Sequence, residues 1–200
     1  RVQLDAASSR NADFVYSAIA KVGEDGQITE LPPAPSPADL AASLLSRNVL
    51  RGGCSNVMAK TEIVRNLGGF DEQLFQLTDW DLWIRLATSG AAAVSAEVTV
   101  ACFDHRESML LTSEDDVFEE FEYLALKHRA LGVGRGVGFD RALFTRWVAL
   151  GRLRAGRRVR AAGLFLRVAR QERSPADLLR ALAALAGPHG IALARRLAGR

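Results

Sequence analysis

The chain has 200 residues, of which 48% are hydrophobic and 24% are charged, as is ordinary for a globular protein with a sizeable core. No apolar run approaches the roughly 18 residues of a membrane span, so the sequence predicts no membrane-spanning helix. Two cysteines, Cys54 and Cys102, are too few for a disulfide framework and fit a reducing compartment. The first residue is Arg1 and not a methionine, and we therefore interpret the chain as a piece of a longer protein.

The net charge of +3 conceals two regions of opposite sign. Residues 1–128 carry 10 basic and 20 acidic side chains, a net charge of −10. Residues 129–200 carry 16 arginines and only three acidic side chains, a net charge of +13. Such a split indicates two regions with different neighbours.

The first predicted elements are the end of a helix, a buried strand and a hairpin. Residues 1–10 have helical character, and residues 13–20 are nearly all apolar and rich in β-forming side chains. The Gly-Glu-Asp-Gly turn at residues 23–26 then leads to a return strand over residues 27–31. Four prolines within residues 32–37 exclude a helix or an interior strand, because proline lacks the backbone donor, and they predict a surface loop.

A stretch of small residues follows a short helix that we predict over residues 37–46, with Ser36 as its N-cap. Glycine lets the backbone approach a ligand closely, and serine and asparagine can hydrogen-bond sugar hydroxyls. A tight turn before a strand at residues 57–60 explains the stretch equally well, and both interpretations stay open. Its members are Gly52, Gly53, Cys54, Ser55 and Asn56.

A helix beginning at Thr78 carries the most informative carboxylates. A short helix over residues 61–67, capped by Thr61, precedes it. Thr78 is a good N-cap, and Asp81 three residues later completes a capping-box pattern. Asp79 then lies on the first turn, where the helix dipole favours an ionised carboxylate. Capping preferences favour a structural role for Asp81 and leave Asp79 open between a cap and a functional group.

The motif Gly-Gly-Phe-Asp-Glu at residues 68–72, followed by Thr-Asp-Trp-Asp-Leu-Trp at residues 78–83, resembles the acceptor-side half of family 2 glycosyltransferases of the GT-A fold. That family commonly has Glu where this chain has Thr78. The resemblance implies that Asp79 is the base that takes the proton from an acceptor hydroxyl during transfer with inversion. It further implies that the small-residue stretch lines the acceptor pocket, and that the substrate is also contacted by Thr78, Trp80 and Asp81.

A β-rich stretch at residues 94–103 predicts one or two strands that end just before His105. The family typically ends this strand with Tyr-Arg-x-His-x-x-Ser-x-Ser, and the chain matches that pattern at His105 and Ser108. The resemblance implies that His105 approaches the divalent metal or the diphosphate of the donor. Phe103 stands where the family has arginine, so a surface or packing role for His105 stays open.

The resemblance also implies a divalent ion, Mn or Mg, held by an Asp-x-Asp motif that closes the nucleotide-binding half of the family's enzymes. That half would precede Arg1, so most of the metal ligands would lie upstream of the chain. Asp79-Trp80-Asp81 has the same spelling, but it begins a helix and is not that motif. We therefore predict an α/β fold with an incomplete GT-A sheet, the Rossmann-like sheet of nucleotide-diphospho-sugar transferases, followed by an α-helical extension.

The remaining residues are predicted to be helical. Ser113 and Asp116 form a capping box for a helix over residues 114–131, with packing positions at Phe118, Phe121, Leu124 and Leu126. A glycine-rich hinge follows at residues 132–138. Four arginine-rich amphipathic helices are then predicted at residues 140–153, 157–171, 175–185 and 190–197. The predicted domains are accordingly residues 1–131, the hinge, and the helical extension 139–200.

Two functions of different classes follow. The first is sugar transfer from a nucleotide-diphosphate sugar to a carbohydrate or lipid-linked acceptor in polysaccharide, cell-wall or glycolipid biosynthesis, with this chain alone inactive. The alternative is a non-catalytic interaction module that docks on an anionic membrane surface through its arginine-rich helices. The absence of helix-turn-helix or zinc-ligand spacing argues against nucleic acid. We expect a cytoplasmic protein, at the inner face of the membrane if the arginine-rich helices bind lipid.

Overall fold

The computed structural model describes residues 1–103 and 116–198. The chain divides into two compact units. Of the described residues, the first unit holds 1–103 and 116–139 and the second holds 140–198. A small sheet with helices forms the first unit, and helices form the second, so the α/β prediction is confirmed. The GT-A assignment and the predicted domain limits stay predictions.

The central strand of the first unit is β1 (Phe14–Val22). Two short strands pair antiparallel with it, β3 (Val57–Ala59) along its first half and β2 (Ile28–Glu30) along its second half. The fourth strand, β4 (Ala92–Phe103), runs parallel to β1. Nearly every residue of β1 is buried, because the strand is apolar and has neighbours at both edges. The predicted buried strand and hairpin are confirmed.

The pairing of β4 with β1 is irregular in its middle. Ser17 faces Ser95, whereas the next residue, Ala18, faces Val98, so β4 bulges outward between these pairs. The bulged segment brings Thr99 to Ser17, with 2.5 Å between the two hydroxyl oxygens. The predicted one or two strands are therefore one bulged strand.

The helices of the first unit that precede β4 begin close to their predicted positions. The Ser36 cap is confirmed, since its Oγ accepts a hydrogen bond from the Ala38 N–H at 3.3 Å, and a 3-10 turn over Pro37–Asp39 leads into the helix. The Thr61 cap is wrong, because the helix already includes Thr61 and no side chain caps it. These helices are α1 (Val2–Ser9), α2 (Leu40–Ser46), α3 (Thr61–Asn66) and α4 (Thr78–Ser89).

The helix predicted over residues 114–131 is broken at His128 into α5 (Asp116–Lys127) and α6 (Arg129–Val133). Phe121 and Leu124 are buried as predicted, but Leu126 is 70% exposed and is not a packing position. Ser113 and Glu114, with the predicted capping box, lie outside the described residues.

The glycine-rich segment after α6 forms a closed turn. The Val137 N–H donates to the Gly132 carbonyl at 3.0 Å, and a Cβ on Gly132 would lie 2.7 Å from the Val137 carbonyl oxygen. The chain then places Phe139 against Trp80 and Phe121, with ring centroids 5.4 and 5.8 Å away. Phe139 therefore belongs to the core of the first unit.

The second unit consists of α7 (Arg141–Arg154), α8 (Arg158–Gln171) and α9 (Pro175–Ala198). Two helices were predicted where α9 lies, and the non-helical backbone of Gly187, with φ of 75°, interrupts it between them. Buried Asp177 pairs with Arg146 of α7 and Arg180 of α9, at 2.8 and 2.6 Å. An ion pair thus joins the first and last helices of this unit.

Candidate functional site

Asp79 lies on the first turn of α4, half-buried, and faces the small-residue stretch. A Cβ on Gly53 would lie 3.5 Å from Asp79 Oδ2, an ordinary contact distance, so the backbone at Gly53 lies beside this carboxylate. The pKa of the neighbouring Cys54 thiol is raised by burial and by the negative charge of Asp79. The fold therefore brings Asp79 next to Gly53 and Cys54, from which it is distant in the sequence.

Burial raises the pKa of the Asp79 carboxyl above its ordinary value. Hydrogen bonds from the backbone N–H groups of Trp80 and of Asp79 itself oppose this rise only in part. A carboxylate with a raised pKa is a stronger proton acceptor. The environment of Asp79 suits a general base.

The small-residue stretch forms a 3-10 turn, Gly53–Asn56, before β3. Gly52 and Gly53 both have positive φ, 91° and 56°, which is strained for any other residue. The Cys54 and Ser55 side chains are exposed next to them. The turn interpretation is confirmed, and the acceptor-binding role of Gly52, Gly53, Cys54 and Ser55 stays a prediction.

Asn56, in the same stretch, has a structural role, and its predicted contact with substrate stays a prediction. It is buried, and its Oδ1 accepts hydrogen bonds from the Ser17 hydroxyl at 2.7 Å and the Ser17 N–H at 3.2 Å. Its Nδ2 donates to the carbonyls of Ser17 and Arg51 at 3.0 and 2.9 Å. These four hydrogen bonds of the Asn56 amide fix the turn against β1.

The start of α4 is not capped by Thr78. The residue that precedes the helix is Leu77, and no local side chain caps it. Instead the Glu120 carboxylate of α5 accepts hydrogen bonds from the N–H groups of Gln76 and Leu77, at 2.9 and 3.0 Å. The capping-box prediction is therefore wrong, because Thr78 already belongs to the helix and Leu77 occupies the cap position. Thr78 is half-buried, and its proposed contact with substrate stays a prediction.

Asp81 is fully buried at the centre of an ion-pair cluster, so the prediction that it caps the helix is wrong, and its contact with substrate stays a prediction. Its Oδ1 lies 2.7 Å from His128 Nε2 and 2.9 Å from Lys127 Nζ, and its Oδ2 accepts from Arg85 Nε at 2.8 Å. Burial alone would raise the pKa of Asp81, but the hydrogen bonds from His128, Lys127 and Arg85 outweigh it and lower the pKa.

The Gly-Gly-Phe-Asp-Glu motif joins the same cluster through its backbone and Asp71. Arg85 donates to the Gly69 carbonyl at 2.7 Å. Asp71 Oδ2 accepts from the Tyr123 hydroxyl at 2.9 Å and pairs with Lys127 at 2.5 Å. These contacts hold the loop before α4 against α4 and α5. Both sequence motifs that carry the family resemblance are thus linked by one polar network.

Trp80 has a structural role in the core, and its predicted contact with substrate stays a prediction. Its side chain is 3% exposed, and the indole N–H donates to the Leu44 carbonyl of α2 at 2.7 Å. Its ring packs against Phe121, with centroids 6.0 Å apart. Trp80 therefore anchors α4 in the core.

Two predicted features have no counterpart in the described part of the chain. His105 lies outside the described residues. Among residues 1–103 and 116–198, no group of three His, Cys, Asp or Glu side chains is placed to hold a metal ion. Within the same residues, no helix has the length and apolarity needed to cross a membrane.

Comparisons with known proteins are sparse. No protein-family model matches the chain, and no curated protein sequence matches it. Among solved structures, a match is found to residues 1–349 of S. aureus TarS in complex with UDP-GlcNAc, with a TM-score of 0.45 and 13% sequence identity. The match covers 90% of this chain and 50% of the TarS chain, so this chain spans half the length of that structure.

Proposed function

We propose that this chain is the acceptor-side part of a glycosyltransferase and that Asp79 is its general base. The observation that carries the proposal is the placement of Asp79, on the first turn of α4 and against the glycine backbone of Gly53, with a carboxyl pKa raised by burial. The motifs at residues 68–72 and 78–83, which resemble those of family 2 glycosyltransferases, support the same assignment.

In the proposed reaction the acceptor hydroxyl lies beside Asp79, over the turn at Gly53–Asn56. Asp79 takes the hydroxyl proton while the acceptor oxygen forms a bond to the anomeric carbon of the donor sugar. The bond from that carbon to the nucleoside diphosphate breaks, and the diphosphate leaves with the electron pair, so the configuration is inverted. The exposed hydroxyl of Ser55 is suited to hydrogen-bond another sugar hydroxyl.

The departing diphosphate needs a positive group, and a divalent Mn or Mg ion would supply this charge. The described residues offer no set of three ligands for such an ion, and we assign no step to it in this chain. Its ligands are proposed to lie mostly in the nucleotide-binding half, with His105 as a further candidate. The sugar-nucleotide donor, the carbohydrate or lipid-linked acceptor and the cytoplasmic location are parts of the same proposal.

The decisive experiment is Asp79→Asn in the full-length protein that carries the nucleotide-binding half. Asparagine keeps the shape but cannot accept the proton, so the transfer rate is expected to fall by about 10²–10⁴-fold. Donor affinity, measured by calorimetric titration with Mn, is expected to stay unchanged. Glu72→Gln, an exposed carboxylate in the neighbouring motif, is the matched control. An Asp79→Asn enzyme with normal turnover would show that the base lies elsewhere.

A second candidate function, docking on an anionic membrane, is favoured by the surface of the second unit. Exposed apolar side chains lie on α7 and α9, namely Trp147, Leu150, Leu178, Leu182 and Leu185. Arg158, Arg160 and Arg170 of α8 are exposed as well. Arginines attract anionic headgroups, each contributing about 1 kcal/mol near the surface, and apolar side chains can enter the interface.

Co-sedimentation with vesicles tests this second function. Binding is expected to anionic vesicles and to weaken as salt rises, whereas neutral vesicles should bind little. Leu182→Ser and Arg160→Glu should each weaken binding. Leu126→Ser, which changes an exposed leucine of the first unit, is the matched control and should have no effect. Equal binding to both kinds of vesicle, or no binding at low salt, would contradict the proposal.

A further inference from the structure

Helix α5 contacts the beginning of α4 on both sides of Asp79 in the sequence. Before Asp79, the Glu120 carboxylate accepts hydrogen bonds from the N–H groups of Gln76 and Leu77. The first N–H groups of a helix have no partner within the helix, so an external acceptor is needed to keep this turn from fraying. Glu120 binds the N–H groups of Gln76 and Leu77, which lead into the helix, and the Asp79 carboxylate itself accepts from those of Asp79 and Trp80.

After Asp79, the end of α5 holds Asp81. Lys127 and His128 lie 2.9 and 2.7 Å from Asp81 Oδ1, and this carboxylate is fully buried. Loss of a partner from a buried pair is costly, so the contact has one strongly preferred geometry. The start of α4 is therefore held at two points by α5 and the residue that follows it, with Asp79 between the two points.

We propose that Glu120 is a positioning residue that sets the direction of the Asp79 carboxylate toward Gly53 and Cys54. Lys127 and His128 contribute to the same positioning through their contacts with Asp81. The inference rests on the proposed function for the meaning of Asp79, but the geometry itself can be measured without turnover. Glu120 does not touch the reacting atoms. It acts by keeping the turn that bears Asp79 in place.

The Cys54 thiol provides a probe of that geometry. It is exposed, and the negative charge of Asp79 contributes to its raised pKa. If the first turn of α4 loosens, Asp79 moves away, the thiolate fraction rises and alkylation at a pH below the thiol pKa becomes faster. A unit charge about 4 Å away in water is worth about 1 kcal/mol, which corresponds to about a fivefold change.

The experiment follows iodoacetamide alkylation of the Cys54 peptide by mass spectrometry. Asp79→Asn is expected to raise the rate by about two- to fivefold. Glu120→Ala should reproduce much of this increase, whereas Glu120→Gln, which keeps an acceptor oxygen, should stay near wild type. In the double variant Asp79→Asn with Glu120→Ala, the Glu120 change should add nothing. Glu119→Ala, an exposed carboxylate of the same helix, is the matched control.

Two results would overturn the proposal. One is an unchanged alkylation rate in Glu120→Ala, and the other is a Glu120→Ala effect that persists fully when Asp79 is already asparagine. If Glu120→Ala does not fold, Glu120→Asp, which shortens the side chain by one methylene, carries the same comparison.

Activity of the full-length protein separates this inference from the proposed function. If both hold, Glu120→Ala lowers kcat while the donor KM stays constant, and Glu120→Gln restores kcat. If Asp79→Asn is fully active but the alkylation rates change as expected, the positioning of Asp79 stands and the glycosyltransferase assignment of Asp79 fails. If Asp79→Asn is inactive and Glu120→Ala changes neither alkylation nor kcat, only the positioning role is wrong.

Discussion

The Nε2 atom of His128 lies 2.7 Å from Oδ1 of Asp81, and both side chains are buried. His128 follows the last residue of α5, and Asp81 lies in the first turn of α4. Lys127 and Arg85 complete the contacts of the same carboxylate. A buried charge with several partners is costly to alter at one member, because the others lose their compensation. Asp81 is therefore the residue of this region on which stability should depend most.

Asp81→Asn is expected to lower the free energy of unfolding by about 3 kcal/mol, the range found when one partner of a buried ion pair is removed. The substitution leaves Arg85 and Lys127 with less negative charge near them. Urea unfolding followed by circular dichroism measures the change. Glu72→Gln, an exposed carboxylate nearby, is expected to change the value by less than about 0.5 kcal/mol. A loss of only about 1 kcal/mol for Asp81→Asn would indicate a simple cap.

Two neighbouring residues of the small-residue stretch should differ strongly in how much stability an alanine substitution removes. Asn56→Ala removes four hydrogen bonds and leaves buried groups of Ser17 and Arg51 without them, so about 3 kcal/mol of stability should be lost. Ser55→Ala, at an exposed position, should change stability by less than about 0.5 kcal/mol. Thermal unfolding of both variants measures the difference. Equal, small losses of stability for the two variants would contradict the structural role of Asn56.

Asp177 makes the second unit sensitive to acid. Burial would raise its pKa, but hydrogen bonds from Arg146, Arg180 and Ser174 lower it to about 2. A carboxyl whose folded pKa is depressed contributes stability above its unfolded pKa, near 3.9, and loses it as the pH falls toward the folded value. Asp177→Asn should therefore cost about 2 kcal/mol at pH 6 and almost nothing at pH 2.

Urea unfolding of wild type and Asp177→Asn at both pH values tests this. The control is Asp140→Asn, which changes the exposed N-cap of α7 and no buried ion pair. A difference between wild type and Asp177→Asn that stays constant from pH 6 to pH 2 would contradict the ion-pair explanation.

Local patterns predicted the elements whose cause is local. The apolar residues of β1 predicted a buried strand, and Ser36 followed by Pro37 predicted the start of a helical segment, because both signals lie within a few residues of the structure that they cause. The same is true of the turn at Gly52 and Gly53, which requires positive φ. These features follow from the sequence without knowledge of the fold.

The errors at α4 have a long-range cause. Thr78 and Asp81 match a capping box, but Glu120 binds the N–H groups that lead into the helix and Asp81 turns inward to His128. Glu120 lies on α5 and His128 directly follows it, far along the chain, and no spacing rule connects them to α4. An indication was present in the pattern of charges, since Lys127 and His128 end a helix that is otherwise acidic. Without the fold, that pattern does not identify Asp81 as their partner.

Asp79 and Asp81 lie two residues apart, but their surroundings lead to opposite expectations for how each carboxylate affects stability. Burial raises the pKa of Asp79, so its ionised form is disfavoured in the folded protein. Between the unfolded pKa, near 3.9, and the higher folded pKa, the folded state binds more protons than the unfolded state. Stability attributable to Asp79 therefore falls as the pH rises through this window, and the loss persists at neutral pH. Asparagine carries no charge and has no such loss.

Asp79→Asn is accordingly expected to raise the urea midpoint at pH 7, whereas Asp81→Asn lowers it. The gain from Asp79→Asn should shrink as the pH falls from the raised folded pKa toward the unfolded value near 3.9, and it should be absent below that, where Asp79 is protonated in both the folded and the unfolded state. Together with loss of transfer in the full-length protein, a gain in stability would mark Asp79 as a residue kept for chemistry at the expense of the fold. A lower midpoint for Asp79→Asn at pH 7, with no dependence on pH, would instead identify Asp79 as a helix cap and remove the main support for its role as the base.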